Sequence, residues 1–156
     1  MTAPFVIEPL ARSHDRSSFG CGNVRIDDYF HRAVSQDIDR GYARCQVAID
    51  RQDGQIVGFY TLSAHHVVLD EIPEDLRKKL PRYPAVPAAL IGWLARDIRY
   101  AGRGMGSALL AHAIETIHGA QIGAHVVIAD PIDDEAAAFY AGHGFQPLTD
   151  DRASRP

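Results

Sequence analysis

Ala101-Gly102-Arg103-Gly104-Met105-Gly106 separates two segments with different hydrophobic periods. Before it, Ala89-Leu90-Ile91-Gly92-Trp93-Leu94-Ala95 is an almost unbroken apolar run of strand length. After it, Ala108, Leu109, Ala113, Ile114 and Ile117 recur at helical spacing. Three glycines therefore join a strand to a helix. Glycine reaches φ > 0 at no steric cost, so such a turn can aim several backbone N–H groups at one point, at the positive end of the helix dipole. That arrangement suits a phosphate. It equally suits a plain tight connection, so the rest of the chain has to decide.

Two nucleotide-binding patterns fail. A Walker loop requires Gly-Lys followed by Ser or Thr, and the chain contains no Gly-Lys pair. The dinucleotide fingerprint requires glycines spaced one residue and then two apart, whereas here both gaps are one residue. The turn does resemble the pyrophosphate loop of the GNAT acetyltransferases, Q/R-x-x-G-x-G/A, with Gly104 and Gly106 in the glycine slots. Phe139-Tyr140-Ala141-Gly142-His143-Gly144-Phe145 is similar to the late F-Y-x-x-x-G-F segment of the same family. Three further segments resemble the GNAT toxins of type II toxin–antitoxin modules, the TacT-like and AtaT-like proteins. They are Phe19-Gly20-Cys21-Gly22 followed by Ile26-Asp27-Asp28-Tyr29-Phe30, then Val57-Gly58-Phe59-Tyr60-Thr61-Leu62-Ser63, and Leu80-Pro81-Arg82-Tyr83-Pro84.

Size and composition are those of a globular protein. At 156 residues, with 46% hydrophobic and 23% charged residues, the chain reads as a single domain spanning 1–156. No apolar run approaches the roughly 18 residues of a membrane helix, and no secretory leader precedes the first strand, so the expected location is cytoplasmic. Cys21 and Cys45 form neither a disulfide framework nor a metal pair. A net charge of −4 argues against a surface coated in basic residues, but Arg77, Lys78, Lys79 and Arg82 cluster, as do Arg96, Arg99 and Arg103. The first cluster reads either as a solvated helix end or as an RNA-phosphate contact.

The expected elements are a strand at Phe5–Glu8, a helix over Val24–Arg40 capped by Asn23, a strand at Cys45–Ile49, a turn at Asp53-Gly54 and a long strand over Gln55–Leu69. A short helix follows at Pro73–Leu80 and an extended stretch at Tyr83–Pro87. Next come a central strand at Ala88–Asp97, a helix over Gly104–His118, a buried strand at Gly123–Ala129 and a helix from Asp133 to about Gly142. No internal repeat is present. The order gives a mixed α/β sheet, and the resemblance implies the GNAT arrangement. His65 and His66, adjacent in a strand, should face opposite ways, and His112 and His118 should lie on the surface, so no metal site is expected.

The resemblance implies acetyl transfer from acetyl-CoA to an amine, with no metal. Backbone groups of Gly102, Arg103, Gly104, Met105 and Gly106 would hold the diphosphate, and Leu94, Ala95 and Arg96 would pair with the pantetheine arm as an added strand. Tyr140 would be the catalytic acid at the departing sulfur; the residues alone also allow a core tyrosine between Phe139 and Phe145. The toxin subgroup implies aminoacyl-tRNA as acceptor and a ribbon-helix-helix antitoxin as partner. An α-amine with pKa about 8 is partly neutral at pH 7, so it needs less help from a base than a lysine with pKa about 10.4. The alternatives are a GNAT enzyme acting on a small-molecule or protein amine, and a GNAT-fold binding module without activity.

Four positions depart from the pattern. Ala101 stands in the Gln/Arg slot, Trp93 where TacT-like proteins carry arginine, and Arg96 where they carry an aliphatic residue. The fourth is the stretch from Asp150 to Pro156, where relatives continue into a last strand. Without that strand the sheet would keep an open edge, which a second copy of the chain in a homodimer could fill.

Overall fold

The computed structural model describes residues 3–68, 72, 74–78, 85–149 and 152–155, with backbone alone for residues 76 and 149 and for 152–155. Its strands, numbered in chain order, form one seven-stranded sheet in the order β1-β2-β3-β4-β5-β7-β6. The chain divides into two compact units. One is Met1–Ser63 with Trp93–Glu115, the other Ala64–Gly92 with Thr116–Pro156.

In the first unit, β1 (Phe5–Pro9) pairs antiparallel with β2 (Arg44–Asp50), Phe5 opposite Asp50 and Pro9 opposite Gln46. β2 pairs antiparallel with β3 (Ile56–Val68), Arg44 opposite Leu62, with a register shift between Ala48 and Ile49. Residues 56–61 of β3 are buried without a break, which requires cover on both faces of the sheet. The period of two sorts that cover. Phe59 stacks on Phe30 (centroids 4.2 Å apart) and meets Phe19 edge-on at 5.5 Å. Gly58 and Tyr60 face α4 (Met105–His118) instead. A Cβ on Gly58 would stand 3.0 Å from Leu109 Cδ1 and 3.3 Å from Met105 Sδ, so the absent side chain lets the start of α4 lie close against the strand.

The helical segment after Asn23 is not the single helix its periodicity suggests. α1 (Val24–Asp28) is capped as expected, the Asn23 side chain accepting from Arg25 N–H and Ile26 N–H. A π turn then spans Tyr29–Ala33, with Val34 N–H donating to Tyr29 C=O, before α2 (Val34–Asp39) resumes the α pattern. The wider turn leaves Phe30 and Val34 in the core while Tyr29 stacks on Trp93.

In the second unit, β4 (Ala85–Arg96) runs parallel to β5 (Val126–Ala129), Ala88 opposite Val126 and Ile91 opposite Ala129. Val67, Ile72, Val86, Ala88, Val126 and Ile128 form its core, with Leu90 and Leu148 against them. α3 (Glu74–Arg77) is shorter than the expected Pro73–Leu80, of which 73, 79 and 80 lie outside the described residues. Leu69, Lys79, Arg82 and the 80–84 segment also lie outside them. α5 (Asp134–Gly142) starts at an Asp133 cap whose carboxylate accepts from Ala136 N–H at 2.8 Å.

The last-strand expectation is overturned. β6 (Gln146–Thr149) is followed by β7 (Arg152–Arg155), which inserts between β5 and β6 and pairs antiparallel with both. Val127 lies opposite Arg155 and Gln146 opposite Ser154. The polar sequence of 152–155 hides a strand because its partners, not its own pattern, select it.

Candidate functional site

The glycine turn is built as a nest at the start of a helix. β4 ends at Arg96, Asp97 follows, and a 3₁₀ turn spans Ile98–Tyr100. Ala101 has extended backbone, and Gly102 and Gly104 both have φ of +74°. Any other residue is strained there. α4 then starts at Met105, and amides in the first turn of a helix have no intrahelical acceptor. The first turn carries no acidic side chain to compete for those donors. Residues 101–104 are exposed. Met105 is 0% exposed and packs toward Gly58, so only its backbone can serve a ligand. Arg103 lays its guanidinium over the Tyr100 ring at 4.8 Å, and the Tyr100 hydroxyl bonds Asp50.

Leu94-Ala95-Arg96 lies in the same unit, at the end of β4. The β5 pairing of β4 runs from Ala88 to Ile91 and stops there. Among the described residues, 94–96 therefore has no β5 partner, as a strand that receives an extended ligand requires. Arg96 is half-buried and makes no ion pair among the described residues.

Trp93, in the arginine slot, is half-buried and held by its neighbours. Its ring stacks on Tyr29 at 4.2 Å with 10° between planes, Arg25 lies 5.9 Å from the ring centroid, and the backbone N–H of Trp93 donates to the buried Thr61 hydroxyl at 3.0 Å. The Tyr29 hydroxyl in turn donates to Asp37 at 2.8 Å, and burial with that carboxylate raises the Tyr29 pKa.

Tyr140 belongs to the second unit. The chain holds it through a helix ending of the Schellman type. Phe145 N–H donates to Tyr140 C=O at 3.1 Å, and Gly144 N–H to Ala141 C=O at 3.1 Å, with Gly144 at φ +90°. The apolar contact that accompanies this motif is Tyr140 on Phe145, centroids 5.1 Å apart. The F-Y-x-x-x-G-F spacing is thus a helix C-cap that fixes the tyrosine. Tyr140 is 5% exposed, and its hydroxyl makes no hydrogen bond among the described residues. Burial, and secondarily the Asp130 charge, push its pKa above the usual phenol value, so it stays protonated.

Other side chains settle into structural roles. Burial pushes the Cys21 thiol up to about 11 and the Cys45 thiol up to about 12, so neither offers a thiolate near pH 7. His65 is half-buried and His66 exposed, and their rings lie 5.7 Å apart between centroids, closer than side chains on opposite faces of a strand would stand. His112 departs from its expected surface placement: it is half-buried, with Nδ1 2.7 Å from the Tyr60 hydroxyl. The residue that sequence reasoning missed is Asp97. It is 1% exposed, and it caps the 3₁₀ turn ahead of the glycine loop. The signal was an Asp two residues before Arg99 at a strand end, a spacing that fits an Asx cap.

Comparison with known proteins gives one consistent answer. A family profile described as an acetyltransferase (GNAT) domain matches residues 41–147. A probable toxin TacT from Sinorhizobium fredii is 33% identical over 92% of this chain and 84% of its own length. A tRNA-acetylating toxin from Mycobacterium tuberculosis is 34% identical over 88% of this chain and 81% of its own. Among solved structures, a tyrosine-to-phenylalanine variant of KacT superposes with a TM-score of 0.91 at 26% identity, over 99% of this chain and 95% of that one. No helix among the described residues is long and apolar enough to cross a membrane.

Proposed function

Because the chain belongs to the GNAT acetyltransferase family, we propose that it is an acetyl-CoA-dependent N-acetyltransferase whose acceptor is the α-amine of an aminoacyl-tRNA. Transfer onto that amine would remove the charged tRNA from translation. The observation that carries the donor half is the loop of two left-handed glycines opening directly into α4. The acceptor half is supported by the relatives named TacT and tRNA-acetylating toxin. The chain is read as one catalytic domain, since β3, β4 and α4 each continue from one unit into the other.

In this reading the amides of Gly102, Gly104, Met105 and Gly106 hold the diphosphate, which needs several convergent donors and no particular side chain, while the Arg103 N–H, expected to join them, donates to Tyr100 C=O at 3.3 Å. Leu94 to Arg96 pair with the pantetheine arm through backbone bonds, and half-buried Arg96 supplies a cation where Ala101 supplies none. Holding the thioester this way turns a two-body encounter into a positioned one, worth on the order of 7–11 kcal/mol for a well-aligned pair. The amine nitrogen attacks the thioester carbonyl carbon, the C–S bond breaks, and the proton lost by nitrogen ends on the coenzyme thiol. Tyr140, with its pKa raised, gives the sulfur a hydrogen bond while negative charge develops there. No histidine or carboxylate is assigned as base, and an α-amine with pKa about 8 needs none.

An antitoxin encoded beside the chain, of the ribbon-helix-helix class, is the expected protein partner, and the cytoplasm the expected compartment. The test is incubation with labelled acetyl-CoA and a mixture of charged tRNAs. Label on RNA that mild base releases is the expected result. Label on small amines alone contradicts the acceptor, and no transfer at all contradicts the enzyme.

A further inference from the structure

We propose that Asp97 is a positioning residue for the diphosphate loop, setting affinity for the nucleotide half of acetyl-CoA without touching it. The inference rests on the acetyl-CoA reading above and goes beyond it by naming what aims the loop. Both carboxylate oxygens are committed. Oδ1 accepts from Arg99 N–H at 2.9 Å and from Arg99 Nε at 2.8 Å. Oδ2 accepts from Gly20 N–H at 3.1 Å and from Arg99 Nη2 at 3.1 Å. The backbone of Asp97 is used as well, its N–H donating to Val57 C=O at 2.8 Å and its C=O accepting from Tyr100 N–H at 3.0 Å. Ile98 N–H returns to Gly20 C=O at 3.0 Å, so Gly20 is held from both sides. Arg99 extends the joint to the start of β3, bonding the Gln55 side chain and Ile56 C=O.

Through its carboxylate, its backbone N–H and the Arg99 side chain it holds, Asp97 therefore ties three segments: the Phe19–Asn23 loop, the start of β3, and the turn from which the glycine loop hangs. The turn is anchored again at its far end by Tyr100 on Asp50, and Gly102 follows two residues later. A nest of amides binds an anion only while its donors converge, so the affinity depends on how firmly the preceding turn is fixed. Burial alone would raise the Asp97 pKa, but the bonds from Arg99 and Gly20 outweigh it and lower the value, so the group is ionised at neutral pH. Asparagine has the same shape but only one acceptor oxygen, and its NH₂ would face donors.

The test compares Asp97→Asn with the unchanged protein by calorimetry, using acetyl-CoA and acetyl-pantetheine, which lacks the diphosphate. No acceptor is needed. Asp97→Asn should weaken acetyl-CoA binding tenfold or more and acetyl-pantetheine binding less than threefold, collapsing the preference between them. A preference kept intact overturns the proposal, and so does an equal loss for both ligands, the mark of a merely structural role. If Asp97→Asn does not fold, Arg99→Gln serves, since that side chain is 42% exposed. It should show the same one-sided loss at about three- to fivefold, and equal losses again overturn the proposal. An unchanged protein with no preference for acetyl-CoA would instead sink the diphosphate reading of the loop, and this inference with it.

Discussion

The glycine loop and the Tyr140 helix end solve opposite problems with the same device. In both, a glycine at positive φ terminates one element so that something else is placed. In the loop the placed groups are backbone amides on an exposed segment, and the side chains are incidental: Arg103 lies over Tyr100 and Met105 faces the core. At the end of α5 the placed group is one hydroxyl on a buried ring, and the backbone is spent on capping. The first site should therefore tolerate changes of side chain and resist changes of backbone. The second should turn on a single oxygen.

The largest effect expected from this contrast is at Tyr140. Tyr140→Phe should lower kcat about a hundredfold, the lower range for loss of a group that handles a proton or charge at the leaving atom. Acetyl-CoA affinity should stay within about twofold, the diphosphate loop being untouched. The melting temperature should hold, because the hydroxyl has no hydrogen bond to lose among the described residues. Kinetics with calorimetry on the same preparation would check both, and a variant that loses affinity instead of turnover breaks the contrast from that side.

Next in size is the loop itself. Gly104→Val places a β-branched residue at φ +74° and should raise the acetyl-CoA Kd about tenfold or more. Arg103→Ala, two atoms along the backbone from the same amides, should change it by about threefold or less, its cation being spread over Tyr100. Equal losses from the two would mean that the side chain, not the amide nest, holds the ligand.

The smallest effect is an acid-side loss of stability. Asp97 has its folded-state pKa lowered, so it contributes stability that is fully present above the unfolded value, about 3.9. That contribution fades as pH falls through the folded value. Urea midpoints at pH 7 and pH 3 should differ more for the unchanged protein than for Asp97→Asn. A difference as large in the variant would take Asp97 out of the acid response.

The parts that sequence displayed well are those written into local chain chemistry. Glycines that must take positive φ announce the loop, and F-Y-x-x-x-G-F announces a helix end with its aromatic contact. Asn23 and Asp133 announce helix starts. What stayed hidden depends on distant partners. Asp97 finds Gly20 77 positions away, and Arg99 finds Gln55 44 away, so no local window shows the joint. The π turn keeps the apolar spacing of an ordinary helix, and the geometry alone reveals that Tyr29 leaves the core row for Trp93. β7 carries no strand pattern of its own and exists through its pairs with β5 and β6.

The central claim is that main-chain amides of the 102–106 loop grip the diphosphate of the donor. The direct measurement is amide chemical shifts of ¹⁵N-labelled protein titrated with CoA and, separately, with pantetheine. CoA should move the resonances of Gly102, Gly104 and Gly106 strongly, and pantetheine should leave them in place. Shifts at the loop that pantetheine reproduces, or a CoA response that bypasses those glycines, would contradict the account.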